Sequence, residues 1–477
     1  MATTIYVDDD CSLRQNGSQS NPFCTIQEGI DAASNGDTVL VAAGTYTGSG
    51  NKNLTWTGMD ITIEGAGTGY TTIDLEGSGR AFYLHHPSVT RRSIIKDLRI
   101  TDGYVDAVGV LGNGGAILLD GATGLLLEQL RIDSCEANNG GGIFVNDGSV
   151  LGMCDVAMAL NVADIDGGAI RVTNATALIL DCTVSNNSTT NGSGGGISFF
   201  ADASSHRLDL KDTVVSKNTA GGHGGGGIAF AAEVGVFPTL DMDRCTIDSN
   251  TVSNDGFAGG GGVLVSYPCS ESAGPGAPPV VSPVSISNSF ITRNTAVVAG
   301  GANILAKGGG LWFDGCAGDD TITICNCTIA ENTAGGGTDG EDWGGGIYTQ
   351  NVDNLDLDDT IFWNNSADDE GDEIAMSGGT LLSDFLDVDG TGTGCVADEE
   401  TDEFVYLFAG ADETCGTGNI DADPVFVNVA GGDFHLDTGS LVENEGSTNG
   451  CKLYDVDGED RTVGVAVDIG ADEIQLP

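Results

Sequence analysis

The sequence predicts an all-β solenoid, a ribbon of short parallel strands wound into about eleven coils behind an N-terminal capping helix. Three observations carry that expectation. A Gly-Gly-x-aliphatic motif recurs through two-thirds of the chain, short alternating apolar runs close on an asparagine between the repeats, and glycine supplies 75 of 477 residues without a Gly-X-Y period. With 40 % hydrophobic residues the chain has enough apolar material for a long core, so general disorder is excluded.

The glycine motif appears as Gly114-Gly115-Ala116-Ile117, Gly141-Gly142-Ile143, Gly167-Gly168-Ala169-Ile170, Gly195-Gly196-Ile197, Gly226-Gly227-Ile228, Gly261-Gly262-Val263, Gly309-Gly310-Leu311 and Gly345-Gly346-Ile347. Its aliphatic positions lie 26, 27, 27, 31, 35, 48 and 36 residues apart, as expected of a fixed rung into which loops are inserted. Between the repeats, Asn187, Asn218, Asn250, Asn294, Asn332 and Asn365 each stand three residues after an apolar one (Val184, Val215, Ile247, Ile291, Ile329, Phe362) and five after a small or apolar one (Cys182, Thr213, Cys245, Ser289, Cys327, Thr360).

Period-two alternation over three to five residues excludes a helical solenoid, whose period would be 3.6. Coils stacked at about 4.8 Å bring equivalent slots together, so the asparagines are expected to form a hydrogen-bonded ladder, with glycine supplying positive φ at the corners. The cysteines of one slot would then stand about 9.6 Å apart in alternate coils, too far to bridge, and are expected as buried thiols. Disulfides are expected near the ends instead, Cys11 with Cys24 and Cys395 with Cys415, where short loops would close.

Residues 25–35, with Ile26, Ile30, Ala32 and Ala33 at helical spacing and Asn35-Gly36 as a stop, predict an amphipathic helix plugging the first coil. Residues 268–283 hold five of the ten prolines and read as an outward loop. The expected organisation is a cap and first coil at 1–48, coils over 49–380, and an acidic terminal coil with a C-terminal cap over 381–477.

Charge is lopsided, with 70 acidic residues against 17 Lys and Arg giving a net of −53, which argues against nucleic acid and anionic membranes as partners. Residues 314–477 hold 39 of those acids and only Lys452 and Arg461. No apolar run approaches the roughly 18 residues that span a bilayer, so no membrane insertion is expected. Thirteen cysteines favour an oxidising compartment, and the start lacks a signal-peptide pattern. The expectation is a mature extracellular or cell-surface form.

The stretch Asn21-Pro22-Phe23-Cys24-Thr25-Ile26-Gln27-Glu28-Gly29-Ile30-Asp31-Ala32-Ala33, with Gly36-Asp37-Thr38-Val39-Leu40-Val41 and Gly44-Thr45-Tyr46, resembles the N-terminal cap of secreted right-handed parallel β-helix proteins of the pectate-lyase-like superfamily. The central rungs resemble the Gly-Gly-x-Ile repeats of polymorphic outer-membrane proteins. Asp421-Ala422-Asp423-Pro424-Val425-Phe426, Asp433-Phe434-His435-Leu436 and Val467-Asp468-Ile469-Gly470-Ala471-Asp472-Glu473 are similar to the end of bacterial surface β-helix proteins. The resemblance implies a right-handed parallel β-helix. It does not choose among lyases, hydrolases, epimerases, adhesins and inert scaffolds.

Function must come from a site. Gly222-His223-Gly224 resembles one element of polygalacturonase-like hydrolases, but no Asp-Asp pair precedes it after Asp10 and no Arg-Ile-Lys follows. A lyase on this fold needs a base beside a neutralised carboxylate, for which Arg91 and Arg92, grouped with Arg80, Lys96, Arg99, His85 and His86, are the candidates. Asp455-Val456-Asp457-Gly458 and Asp387-Val388-Asp389-Gly390 place alternate carboxylates before a turn, the pattern a Ca²⁺ ion prefers. Trp312 and Tyr348, one coil apart, are candidates for a sugar-stacking platform.

The sequence therefore points to a β-helix scaffold or adhesion module binding a glycan, a cell-surface partner or Ca²⁺, with no complete catalytic set. The alternative is a polysaccharide lyase or glycoside hydrolase acting on an acidic polysaccharide. A third class, self-assembly, would require an uncapped end or a self-complementary flank.

Overall fold

The computed structural model describes every residue except 1, 12–13, 86–91, 122–123, 255, 268–283, 299–304, 316–320, 338–340, 391–403, 409, 448–451, 462–463, 465 and 476–477. The chain forms two compact units, one of residues 1–201 with 206–208, the other of 202–205 with 209–477. The Pro-rich segment 268–283, Arg91, His86 and Cys395 lie outside the described residues.

The first unit is a stack of parallel coils. Strands Phe82–Leu84, Ile117–Leu119, Ile143–Asn146, Ile170–Thr173 and Ile197–Ala201 pair in register, so that Phe82, Ile117, Ile143, Ile170 and Ile197 form one buried column. A second column runs Ile5, Val39, Ile63, Ile95, Leu127, Met153 and Ile179. Identical slots stack because a one-residue slip would turn the whole apolar set outward.

The expected N-terminal plug is present as the helix Ile26–Ala32, shorter than the predicted 25–35 because Thr25 is its N-cap and Ala33 is already extended. Thr25 and Glu28 form a reciprocal capping box, and Ile26 and Ile30 are buried on the first coil. Cys11 and Cys24 form the expected disulfide.

The second unit repeats the plan. Ile228, Val263, Leu311, Ile347, Ile374 and Val405 share one column, and Val215, Ile247, Ile291, Ile329, Phe362 and Val388 another. Together the registers make the chain an all-β parallel β-helix. No helix of the described residues is long and apolar enough to cross a membrane.

The asparagine ladder exists in both units. Asn187 Oδ1 accepts from both the backbone and side-chain amides of Asn161 (3.0 and 2.9 Å). In the second unit the same double bond joins Asn218 to Asn250, Asn250 to Asn294, Asn294 to Asn332 and Asn332 to Asn365. Cys182, Cys245 and Cys327 are buried in one slot as expected, and desolvation pushes each thiol up to about 12, so none is a ready nucleophile.

The corners match the expectation in part. Glycine supplies positive φ at two of them, as at Gly260 (φ +60°) and Gly148 (φ +73°), while Gly261 next to Gly260 is needed because a Cβ there would collide with Gly309 O. At the asparagine corner the left-handed residue is whatever precedes the ladder: Leu160, Asn186, Lys217, Ser249, Arg293, Glu331 and Asn364. Each such residue costs about 1 kcal/mol in that conformation, which the ladder bonds next to it offset.

The C-terminal region is not a plug on the last coil. Strands Gly379–Asp384, Asp387–Val388, Val405–Leu407 and Ala411–Cys415 continue the stack, after which the chain turns back along the flank of the second unit. This strap rests on outward residues of strands Phe290–Thr292, Thr328–Ala330 and Ile361–Trp363, where Phe290, Ala330 and Ile361 meet Phe434, Leu436, Val442, Ile469 and Ala471.

Candidate functional site

The strap is held by a few buried polar groups. Asp359 accepts from Ser447 N (2.6 Å) and Ser447 Oγ (2.7 Å), and its carbonyl accepts from Gly470 N. Arg461 is wholly buried and donates to Asn288 Oδ1 (3.0 Å), Gly470 O (2.8 Å) and Ala471 O (2.7 Å). A buried guanidinium is tolerated because its donors are met by carbonyls and because Glu473, Asp455 and Asp359 lie in its field.

Where strap and coils part, a cleft opens, lined by Lys211, Asp243, Arg244, Asn288, Lys452, Leu453 and Tyr454. Arg244 is fixed by a two-pronged pair with Asp212 (2.6 and 2.7 Å) and a further bond to Asp243 (3.1 Å), and those carboxylates hold its pKa above the ordinary value. Lys211 Nζ lies 3.6 Å from Asp243. Among the described residues no carboxylate lies within ion-pair distance of Lys452, and the Tyr454 ring is 47 % exposed. Two coil cations sharing two aspartates, together with Lys452, gather three cations at one cleft of a strongly negative chain. The floor is rigid, since Asn288 bridges Asp243 Oδ1 and Arg461 Nε.

Sequence reasoning missed this cleft. Lys452 was legible as one of two cations in the acidic third, but Lys211 and Arg244 are more than two hundred residues away in sequence.

The other candidate residues fall as follows. Arg91 lies outside the described residues, and Arg92 is exposed. Of the other cluster members, Arg80 is buried with its guanidinium on Leu111 O, Lys96 pairs with Glu64 (3.4 Å), Arg99 forks onto Asp133, and His85 is exposed with its ring against Tyr83. A cation that is donating to such partners must first lose its own proton before it can take one from a substrate. His223 is exposed on a glycine turn, and its carbonyl accepts from Gly259 N.

Trp312 and Tyr348 do pair in register, but they are only 8 % and 2 % exposed, so the expected open platform is corrected to a packed cluster. Phe257 and Trp343 cover them, and Lys307 Nζ sits 4.7 Å from the Trp343 ring and 4.8 Å from that of Tyr348.

Of the two Asp-x-Asp-Gly turns, Asp387 is wholly buried, accepts from Ala422 N through Oδ1, and leaves Oδ2 without a hydrogen-bond partner. Burial, then Asp421, Asp389 and Asp423, push its carboxyl up to about 8, and Asp389 is raised for the same reasons. Asp455 is a turn staple, accepting from Asp457 N (3.0 Å) and Glu459 N (2.8 Å). The side chain of Asp457 points elsewhere, toward His435 (3.2 Å). The two residues therefore do not converge on one ion as their spacing suggested.

No family model matches the chain, and no curated protein matches it in sequence. Among solved structures it is similar to the pectate lyase Pel9A (13 % identity, TM-score 0.39, covering 99 % of this chain and 96 % of that one). It is also similar to XylC in complex with xylose (8 %, 0.46, 98 % of each) and to the A-module of the mannuronan C-5 epimerase AlgE6 of Azotobacter vinelandii (15 %, 0.37, 84 % and 94 %). The strand registers described above, not these likenesses, establish the coiled architecture.

Proposed function

We propose that the protein is an extracellular, non-catalytic β-helix scaffold that binds an acidic polysaccharide in the cleft between strap and coils. One observation carries the reading: in a chain of net charge −53, Lys211, Arg244 and Lys452 converge on one concave surface beside an exposed tyrosine. A uronate residue offers a carboxylate for Lys452 and an apolar sugar face for Tyr454. The distant negative field is screened beyond about 8 Å at physiological salt, so it does not bar an anion from this spot.

The cleft is built for holding rather than cleaving. Among the described residues the lining carboxylate is Asp243, ion-paired to both Lys211 and Arg244, whereas glycoside hydrolysis uses two carboxyl groups across the bond. Arg244 is kept charged by its aspartates and is no proton acceptor. The extracellular setting is supported by the Cys11–Cys24 disulfide and by Cys325, which is also disulfide-bonded.

The test is calorimetric titration with oligogalacturonate and, as a neutral control, an oligoglucan, run beside ultraviolet and reducing-sugar assays for products. Binding of the uronate alone is expected, weakening as salt rises, without product. Lys452→Ala and Tyr454→Ala should each lose about tenfold in affinity, equivalent to ~1.4 kcal/mol. Unsaturated or reducing products would establish the enzyme reading instead, and equal binding by Lys452→Ala would remove this cleft from either.

A further inference from the structure

The strap contains a second group of side chains that the cleft does not use. His435, in the strand Asp433–Leu436, faces Asp457 of the 455–459 turn and Asp472 of the 468–473 turn, and the three ligand atoms lie within 4.8 Å of one another. Three separate segments of the strap thus meet at one imidazole.

The histidine is oriented from behind. Its Nδ1 lies 2.6 Å from Asp433 Oδ1, and its ring packs edge-on against Phe290 at 5.1 Å. With Nδ1–H given to Asp433, the neutral imidazole presents the Nε2 lone pair to the opposite side, the usual carboxylate–histidine arrangement behind a metal. On that side Nε2 is buried and has no aligned hydrogen-bond partner, although Asp457 Oδ2 is 3.2 Å away. Asp472 is nearly buried and held by Leu436 N on Oδ2 (2.7 Å). Asp455, also buried, leaves its Oδ2 without a partner beside them.

A lone pair facing carboxylate oxygens is repulsive unless a positive charge lies between. We propose that His435 Nε2, Asp457 and Asp472 bind one divalent transition ion of the Zn²⁺ class, and that this ion staples the three strap segments together. Imidazole with two carboxylates suits such an ion better than Ca²⁺, which takes six to eight oxygens. Asp433 is the positioning residue, and Asp455 adds negative charge behind the site. The ion sits in the strap, next in sequence to the Lys452–Tyr454 wall of the cleft, but its binding is measurable without any saccharide.

The full chain, stripped with a chelator and dialysed, is titrated with Zn²⁺ and separately with Ca²⁺ at neutral pH, and Co²⁺ is added for its visible spectrum. One Zn²⁺ per chain, Ca²⁺ much weaker, and a Co²⁺ band of a nitrogen–oxygen site are expected. Chelation should lower the melting temperature and expose the strap to protease. Asp457→Asn changes a half-exposed side chain and keeps the fold, and it should abolish stoichiometric Zn²⁺ binding. Asp433→Asn should weaken it about 10- to 100-fold.

A proton is the competing cation. The imidazole faces Asp433, Asp457 and Asp472, with Asp455 behind. If it is simply an imidazolium, nuclear magnetic resonance will show it protonated at neutral pH with Zn²⁺ having no effect on its shifts. That result, or Zn²⁺ binding unchanged in Asp457→Asn and His435→Gln, would overturn the proposal.

Discussion

Glu373 ends the asparagine ladder by taking the place of the next asparagine: one carboxyl oxygen accepts from Asn365 N (3.2 Å) and the other from Asn365 Nδ2. The column has to stop somewhere, and the last amides need a buried acceptor. A carboxyl does this at the cost of burial, which pushes its pKa from 4.5 up to about 8.

That placement sets a pH dependence. The folded protein holds the Glu373 proton more tightly than the unfolded chain, so the contribution is fully present below pH 4.5 and is lost as pH rises toward about 8. Gln offers one oxygen able to accept both amides, as each asparagine does. We expect Glu373→Gln to match the wild type near pH 5 and to unfold at higher urea at pH 8. A midpoint difference that does not change with pH would contradict this.

Within the ladder, Asn250 Oδ1 accepts both amides of Asn218 while its Nδ2 donates to Val215 O and Asn294 Oδ1. Asn250→Ala orphans several of these buried groups, and the expected loss is about 2–4 kcal/mol in urea unfolding. A loss below ~1 kcal/mol would mean that the column contributes little beyond its geometry.

Arg461 pins the strap through bonds to Asn288, Gly470 and Ala471. Replacing it by Met removes the side-chain donor to Gly470 O, leaves Ala471 O with only Val456 N, and takes the counter-charge from Asp455, Asp359 and Glu473. Breaking a buried charged network from one side costs about 3–5 kcal/mol. Limited proteolysis of Arg461→Met should release the C-terminal segment while the coils persist.

Trp312 separates packing from recognition. Because it is covered by Phe257 and Trp343, Trp312→Ala should destabilise the protein by about 3–5 kcal/mol and leave saccharide affinity unaltered. Titration of the wild type with oligosaccharide should not perturb fluorescence from this residue, and a large quench would restore it as a contact.

Much of the architecture was readable locally. The Gly-Gly-x-aliphatic motif, the asparagines and the Thr25–Glu28 capping box each specify a conformation within a few residues, and stacking then copies it from coil to coil. The last rung of the ladder was not readable, because Glu373 replaces an amide by a carboxyl and lies in a different slot of the repeat.

The strap left a faint signal. Outward positions next to the buried column are polar in early coils, as Thr183 and Ser185 around Val184 or Thr246 and Asp248 around Ile247, and become apolar later, as Ile361 and Trp363 around Phe362. A strand apolar on both faces expects a cover, but nothing in its sequence says which segment supplies it.

The amino-acid sequence by itself determined the coil: its repeat length, its inward column, its amide ladder and its first cap are local patterns enforced by strand periodicity and backbone hydrogen bonding. Only the tertiary structure decided the chemistry, because Lys452 meets Lys211 and Arg244, and His435 meets Asp457 and Asp472, through a strap folded back on the flank. Contacts between residues far apart in the chain depend on packing of surfaces, and no local period encodes them.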